Sequence, residues 1–231
     1  MYKRQVKYHN VVASIKGTKY PDEYVIISGH LDAFDVATGG IDCGTGIGPM
    51  MEAARLIALS GAKPKRTILF IAFAGEEFGL LGAKAYARTH QNELGKIANL
   101  FNRDGGPTPP IGISVPQAMY DDFVEICKPV KNINPDFPFE VKVAKPRKRP
   151  TSTGGTDASV FAVEGVPPYG FTTDDIKGYN FSYGEIWHTE RDLYTKNIPE
   201  YQEHTAVVTA IVALGVANLD KQLSREGMYK E

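Results

Sequence analysis

Two rhythms of apolar residues alternate along this chain. Residues 24–28 and 67–74 are apolar almost throughout and read as buried strands of a parallel sheet. Residues 11–16 and 97–102 read as further strands. Between these runs, apolar residues recur every three or four positions. Ile47, Met50, Met51, Ala54, Ile57 and Ala58 predict a helix packed on the sheet, after a loop rich in Gly and Asp at 29–46. A second helix is predicted over 82–94. A third covers 118–128, with Met119, Phe123, Ile126 and Cys127 turned inward and Pro129 stopping it. Residues 111–115 read as strand or edge structure, 139–143 alternate like an edge strand, and 169–172 form another strand. A short helix over 159–164 is closed by Gly165. Pro199 opens a last helix that should run to about Leu223 and carries Ala206, Val207, Ala210, Ile211 and Leu214. The alternation predicts an α/β fold: a mixed, mostly parallel central sheet with helices on both faces, in one domain over residues 1–231.

Composition narrows the function classes. The 26 Lys and Arg residues nearly balance the 27 Asp and Glu, for a formal charge of −1, which argues against a nucleic-acid binder. The one basic cluster is "VKVAKPRKRP", with Lys142, Lys145, Arg147, Lys148 and Arg149 among prolines. It is expected to be a solvated loop, the competing reading being attraction of a substrate carboxylate. Two cysteines, Cys43 and Cys127, are too few for a disulfide scaffold or a thiolate zinc site. The opening "MYKRQVKYHN" has no apolar segment of a signal peptide. The longest apolar stretch, near 206–219, is interrupted by Thr209, Gly215 and Asn218 and falls short of the ~18 residues a span needs. No membrane contact is expected.

Candidate chemistry collects where the predicted strands end. In open α/β sheets, ligands bind beyond the carboxyl ends of the strands. The second strand ends in "SGHLDAFD", and the loop after it contains "GGIDCGTG"; the third ends in "AGEE", the fourth in "NRDGG", and "EIWHTERD" comes late. His30, Asp42, Glu77, Asp104 and His188 would make a plausible ligand set. Two imidazoles and three carboxylates suit zinc. A pair of divalent cations would also explain two adjacent glutamates, Glu76 and Glu77, at the end of an apolar strand. Clustered carboxylates repel and shift their pKa values upward, whereas cations hold them ionised. One glutamate can then bind metal while its neighbour handles protons. Each residue alone has a plainer reading: Asp42 and Asp104 as turn residues, Glu76 or Glu77 at a helix start. His90 and His204 lie in predicted helices without such partners and read as structural.

The motifs "GHLDAFD", "GGIDCGTG", "AFAGEEFGLLGA", "NRDGG", "GGTDASVF" and "WHTERD" resemble the co-catalytic di-zinc aminopeptidase family that includes the glutamate carboxypeptidases, over residues 10 to about 220. The resemblance implies the zinc-peptidase, phosphorylase/hydrolase-like fold and hydrolysis of short peptides or dipeptides by metal-activated water. By position it implies His30 and Asp104 on one zinc, Glu77 and His188 on the other, Asp42 between them, Glu76 as general base and Asp32 orienting the His30 imidazole. Other divalent metals are open. Family members carry a further N-terminal segment, often with an inserted protease-associated domain. This sequence is therefore expected to be the C-terminal part of a longer, exported protein. Two departures stand out. Cys43 follows Asp42 where an acidic residue is common, and is expected to pack or hydrogen-bond rather than to bind metal. Thr156-Asp157-Ala158 replaces the common Ser-Asp-His, and Asp157 reads either as positioning a ligand or as a helix N-cap.

Tyr169, Tyr179 and Tyr183 are candidates to support an oxyanion, and 173–186 is expected to be a pocket-lining loop. Two rivals remain at this stage: a single-zinc glutaminyl cyclase-like acyltransferase and a receptor-like relative without metals.

Overall fold

The computed structural model describes residues 6–230. In chain order the elements are β1 (Val11–Ile15), β2 (Tyr20–His30), α1 (Gly44–Leu59), β3 (Arg66–Phe73), α2 (Leu81–Thr89), β4 (Ile97–Asn102), β5 (Pro110–Val115), α3 (Gln117–Cys127), β6 (Glu140–Val143), α4 (Asp157–Val163), β7 (Phe171–Thr173), α5 (Tyr183–Ile186) and α6 (Pro199–Ala217), with three short 3₁₀ turns between them.

The fold class is as expected: mixed sheets with helices on both faces. The first sheet has the order β1-β3-β2-β4, with β2 parallel to both β3 and β4 and β1 antiparallel at the edge. Val25, Ile26 and Ile27 of β2 are fully or almost fully buried, as a strand covered on both faces requires. On one face Val25, Ile27, Ile68 and Phe70 pack with α1 and α6 through Met50, Ile57, Val212 and Val216. On the other, Ile26, Ile71, Phe73 and Leu100 pack with α2 and α4 through Ala83, Tyr86 and Phe161. No helix among the described residues is long and apolar enough to cross a membrane.

The single central sheet is instead divided. β5, β6 and β7 form a second, three-stranded sheet of order β6-β5-β7. Side chain replaces main chain at the junction: Asn99 on β4 donates through Nδ2 to the Tyr169 carbonyl and accepts from the Tyr169 N–H. Residues 167–170 thus run alongside β4 without a regular ladder, and the last strand starts at Phe171 instead of Tyr169. Two helices are shorter than their apolar rhythm suggests. The second ends at Thr89 because His90 leaves helical dihedrals and stacks on Tyr86. The last ends at Ala217 because the following residues are diverted to the start of β3: Asn218 accepts from the Lys65 N–H and the Leu219 carbonyl from Arg66.

Register decides what comes together. His30 lies opposite Phe73, and Ser28 opposite Asn102. The parallel strands β2, β3 and β4 therefore end at nearly one level, and the residues just beyond each end share one hollow.

Candidate metal centre

His30 is the last residue of β2 and is buried. Its Nε2 lies 2.9 Å from Asp42 Oδ1 and 3.3 Å from Asp104 Oδ1. Its Nδ1 lies 2.9 Å from the Asp32 carbonyl oxygen. Glu77 Oε2 lies 2.9 Å from His188 Nε2. Ligand atoms of His30, Asp42 and Glu77 fall within 4.8 Å of one another. The candidate residues from five separate segments thus converge: Asp42, Glu77, Asp104 and His188 line a cavity of about 560 Å³ with Glu76 and Tyr183, and His30 stands behind Asp42 and Asp104.

Asp32 orients more than the imidazole. It holds His30 through its main-chain carbonyl, while its carboxylate accepts from the backbone N–H groups of Glu76 at 3.0 Å and Glu77 at 3.1 Å. One residue therefore ties the tips of β2 and β3, which turns both glutamates into the same cleft.

The electrostatics are those of a crowded acidic hollow. Burial, then repulsion from Asp104, pushes the Glu76 carboxyl up to about 8. Burial, then Asp42, raises Glu77. Burial also raises Asp157, to about 7. Burial opposes charge on His30, but hydrogen bonds to Asp104 and Asp42 outweigh it and hold the imidazole far above its ordinary pKa. Asp42 moves the other way: burial would raise it, and its bond to His30 holds it below the usual carboxylate range.

These residues fit divalent cations. Glu77 Oε1 is buried without a hydrogen-bond partner, and an orphaned carboxylate oxygen normally costs stability. Nitrogen and oxygen donors at this density match zinc coordination.

Sequence reasoning missed Asp192, the last residue of "WHTERD". It is buried, and its carboxylate accepts from the Ile41 N–H at 2.6 Å and the Asp42 N–H at 3.2 Å. It thereby fixes the Asp42 loop from 150 residues away along the chain. The contact requires a glycine: a Cβ at Gly40 would lie 2.2 Å from the Leu193 carbonyl carbon. Arg103 was also missed. Half-buried and, among the described residues, without a carboxylate partner, it donates to the carbonyls of Thr45, Gly106 and Thr108, and desolvation lowers its pKa to about 10. Neither residue carries a motif signal, because both act through backbone atoms: Asp192 on the distant 41–42 segment, Arg103 by tying its own following turn to Thr45.

Cys43 is buried and its thiol donates to the Arg103 carbonyl at 3.1 Å, as its packing role anticipated, although its sulfur also lies near His30 and Asp104. Asp157 is not the N-cap of α4. Thr156 is, through its hydroxyl and the Ala158 N–H. The Asp157 carboxylate is instead buried with both oxygens unpartnered. Of the three tyrosines, only Tyr183 faces the cavity, where burial and then the nearby Asp42 raise the pKa of its hydroxyl. Tyr169 is buried in the core, and Tyr179 bonds Glu200. The segment expected to be a loop contains α5, which supplies Tyr183.

Residues 10–212 match the profile of Peptidase family M28. Carboxypeptidase Q of Rattus norvegicus is 31% identical over 221 residues, covering 94% of this chain and 43% of the relative. The chain thus spans less than half the length of the curated relatives it matches. The crystal structure of a Peptidase M28 precursor from Shewanella amazonensis superposes with a TM-score of 0.76 at 32% identity, over 93% of this chain and 46% of that one. BSAP, a zinc aminopeptidase from Bacillus subtilis, shares the fold with a TM-score of 0.67 at 20% identity, over 96% of this chain and 53% of that one.

Proposed function

This chain belongs to peptidase family M28, and from that premise we propose that it carries the catalytic centre of a zinc-dependent exopeptidase acting on short peptides. The observation that carries the reading is the pairing of a convergent donor set with a free carboxyl. His30, Asp42, Asp104, Glu77 and His188 crowd together, while Glu76 stands beside them with no histidine partner. His30 and Asp104 would hold one zinc, Glu77 and His188 a second, and Asp42 would bridge them. The pair, when bound, would polarise the scissile carbonyl and acidify a water.

The remaining steps belong to this chain's own residues. Glu76 accepts a proton from the attacking water and returns it to the leaving amine. Burial, then Asp104, raises the Glu76 carboxyl above a free glutamate, and nearby cations would keep it ionised and able to accept the proton. Asp32 keeps the Glu76 backbone in place. Tyr183, beside Asp42, can donate to the developing oxyanion. Purified protein should hydrolyse members of a dipeptide panel, with zinc found in the same sample by elemental analysis. Full metal occupancy with no hydrolysis of any peptide would sink the catalytic reading.

A further inference from the structure

The two cysteines have opposite surroundings. Cys127 is buried in the apolar cluster that holds Met119 and Phe123, where a thiol acts as a small hydrophobe. Cys43 is also buried, but among polar atoms. Its Sγ lies 3.1 Å from the Arg103 carbonyl oxygen. The same sulfur, a ring nitrogen of His30 and a carboxylate oxygen of Asp104 all fall within 4.8 Å of one another. His30 therefore belongs to two groups of donors, one with Asp42 and Glu77 and the other with Cys43 and Asp104.

Other duties do not account for this sulfur. Cys43 is the N-cap residue of α1, yet its side chain makes no capping hydrogen bond. Its place is fixed by close backbone on two sides: a Cβ at Gly46 would lie 2.5 Å from Sγ, and one at Gly29 would lie 3.1 Å away. The thiol is thus held between β2, α1 and the chain just beyond β4. Apolar packing gives no reason to set a sulfur among a carbonyl, an imidazole and a carboxylate. A soft donor for a metal does.

We infer that Cys43 is a further ligand of the cation held by His30 and Asp104, completing with Asp42 a set of four protein donors that includes one thiolate. The inference rests on the reading of this hollow as a metal centre and deepens it. On binding, Cys43 loses its thiol proton to solvent, gives a sulfur electron pair to the metal, and releases the Arg103 carbonyl. Four protein donors close this position in the manner of a structural zinc site. Glu77, His188 and the shared Asp42 leave the other position open. The closed position should therefore fill first, and its thiolate should favour soft cations over hard ones.

The test titrates Co2+ into the metal-free protein. A thiolate ligand gives cobalt an intense near-ultraviolet charge-transfer band that imidazole and carboxylate ligands do not. The band should grow with the first equivalent, persist in Cys127→Ala and be absent from Cys43→Ser. Bound cobalt without the band in wild type, or a band that survives in Cys43→Ser, overturns the inference. Affinities for Cd2+ and Mn2+ separate ligation from a structural role. Cys43→Ser should weaken Cd2+ binding by roughly 10–100-fold and Mn2+ binding far less; equal losses for both ions overturn the inference. If Cys43→Ser does not fold, the spectra of wild type and Cys127→Ala decide. Failure to bind any cobalt would remove the metal-centre reading and the thiolate together, whereas cobalt bound without the band removes the thiolate alone.

Discussion

His30 and His188 are both imidazoles aimed at the same hollow, yet they are held by opposite means. His30 ends the central strand, with 1% of its side chain exposed and Nδ1 fixed by the chain two residues on. His188 follows a four-residue helix, leaves 32% of its side chain exposed, and sits at φ +57. Left-handed backbone is uncommon for residues other than glycine, and histidine is among those that tolerate it. What steadies His188 is packing: Phe34 stacks on it at 4.2 Å with the planes 4° apart, and Trp187 lies 4.2 Å away. The inner half of the site is set by sheet register, the outer half by loops leaning on one another. An inner change should disturb folding, and an outer change should disturb occupancy.

The largest effect is expected where the two halves meet. Glu76→Gln should lower kcat by roughly 10²–10⁴-fold while zinc content stays at the wild-type level, because that residue handles protons instead of holding metal. Turnover close to wild type would remove Glu76 as the base. Next, His30→Ala should destabilise the metal-free protein by about 3–5 kcal/mol, since it strips the buried Asp42 and the partly buried Asp104 of their shared partner; chemical denaturation measures this. His188→Ala should leave that stability nearly intact and reduce bound zinc instead. Equal stability losses in the two variants would break the distinction between inner and outer halves.

The metal-free protein should also respond to pH in a particular direction. Folded Glu76 titrates near 8 and Asp157 near 7, both above their unfolded values. The folded state therefore holds their protons more tightly, and their contribution to stability is present in acid and lost as pH rises through those values. Asp42, shifted down, opposes this only at the acid end. Thermal melts of zinc-free protein should fall in Tm from mildly acidic to mildly alkaline pH, and added zinc should restore it. A zinc-free Tm that rises over this window would refute the raised carboxyls. The smallest effect belongs to Phe34→Ala. Loss of one stacked ring, ~0.5–1.5 kcal/mol, should weaken zinc binding by no more than about tenfold, visible in chelator competition.

Much of this was legible along the chain because the relevant signals are local. Strands β2, β3 and β4 announced themselves as apolar runs, and each was followed by a carboxylate or imidazole where open α/β sheets place their ligands. The motif set also carried the family resemblance that the comparisons bear out. Element ends were less legible. α6 stops at Ala217 although apolar spacing continues, because Asn218 and Leu219 bond to Lys65 and Arg66. Asp157 read equally well as a cap or as a site residue until Thr156 was found to take the cap.

The sequence by itself determined the α/β architecture and the donor types at the strand tips, since both follow from the spacing of apolar residues and from what stands immediately after them. Only the tertiary structure decided that Asp192 steadies the Asp42 loop and that Tyr183, not Tyr169 or Tyr179, enters the cavity. Those arrangements depend on backbone atoms and loop approaches between segments far apart in the chain. A pattern read over neighbouring residues contains no term for them.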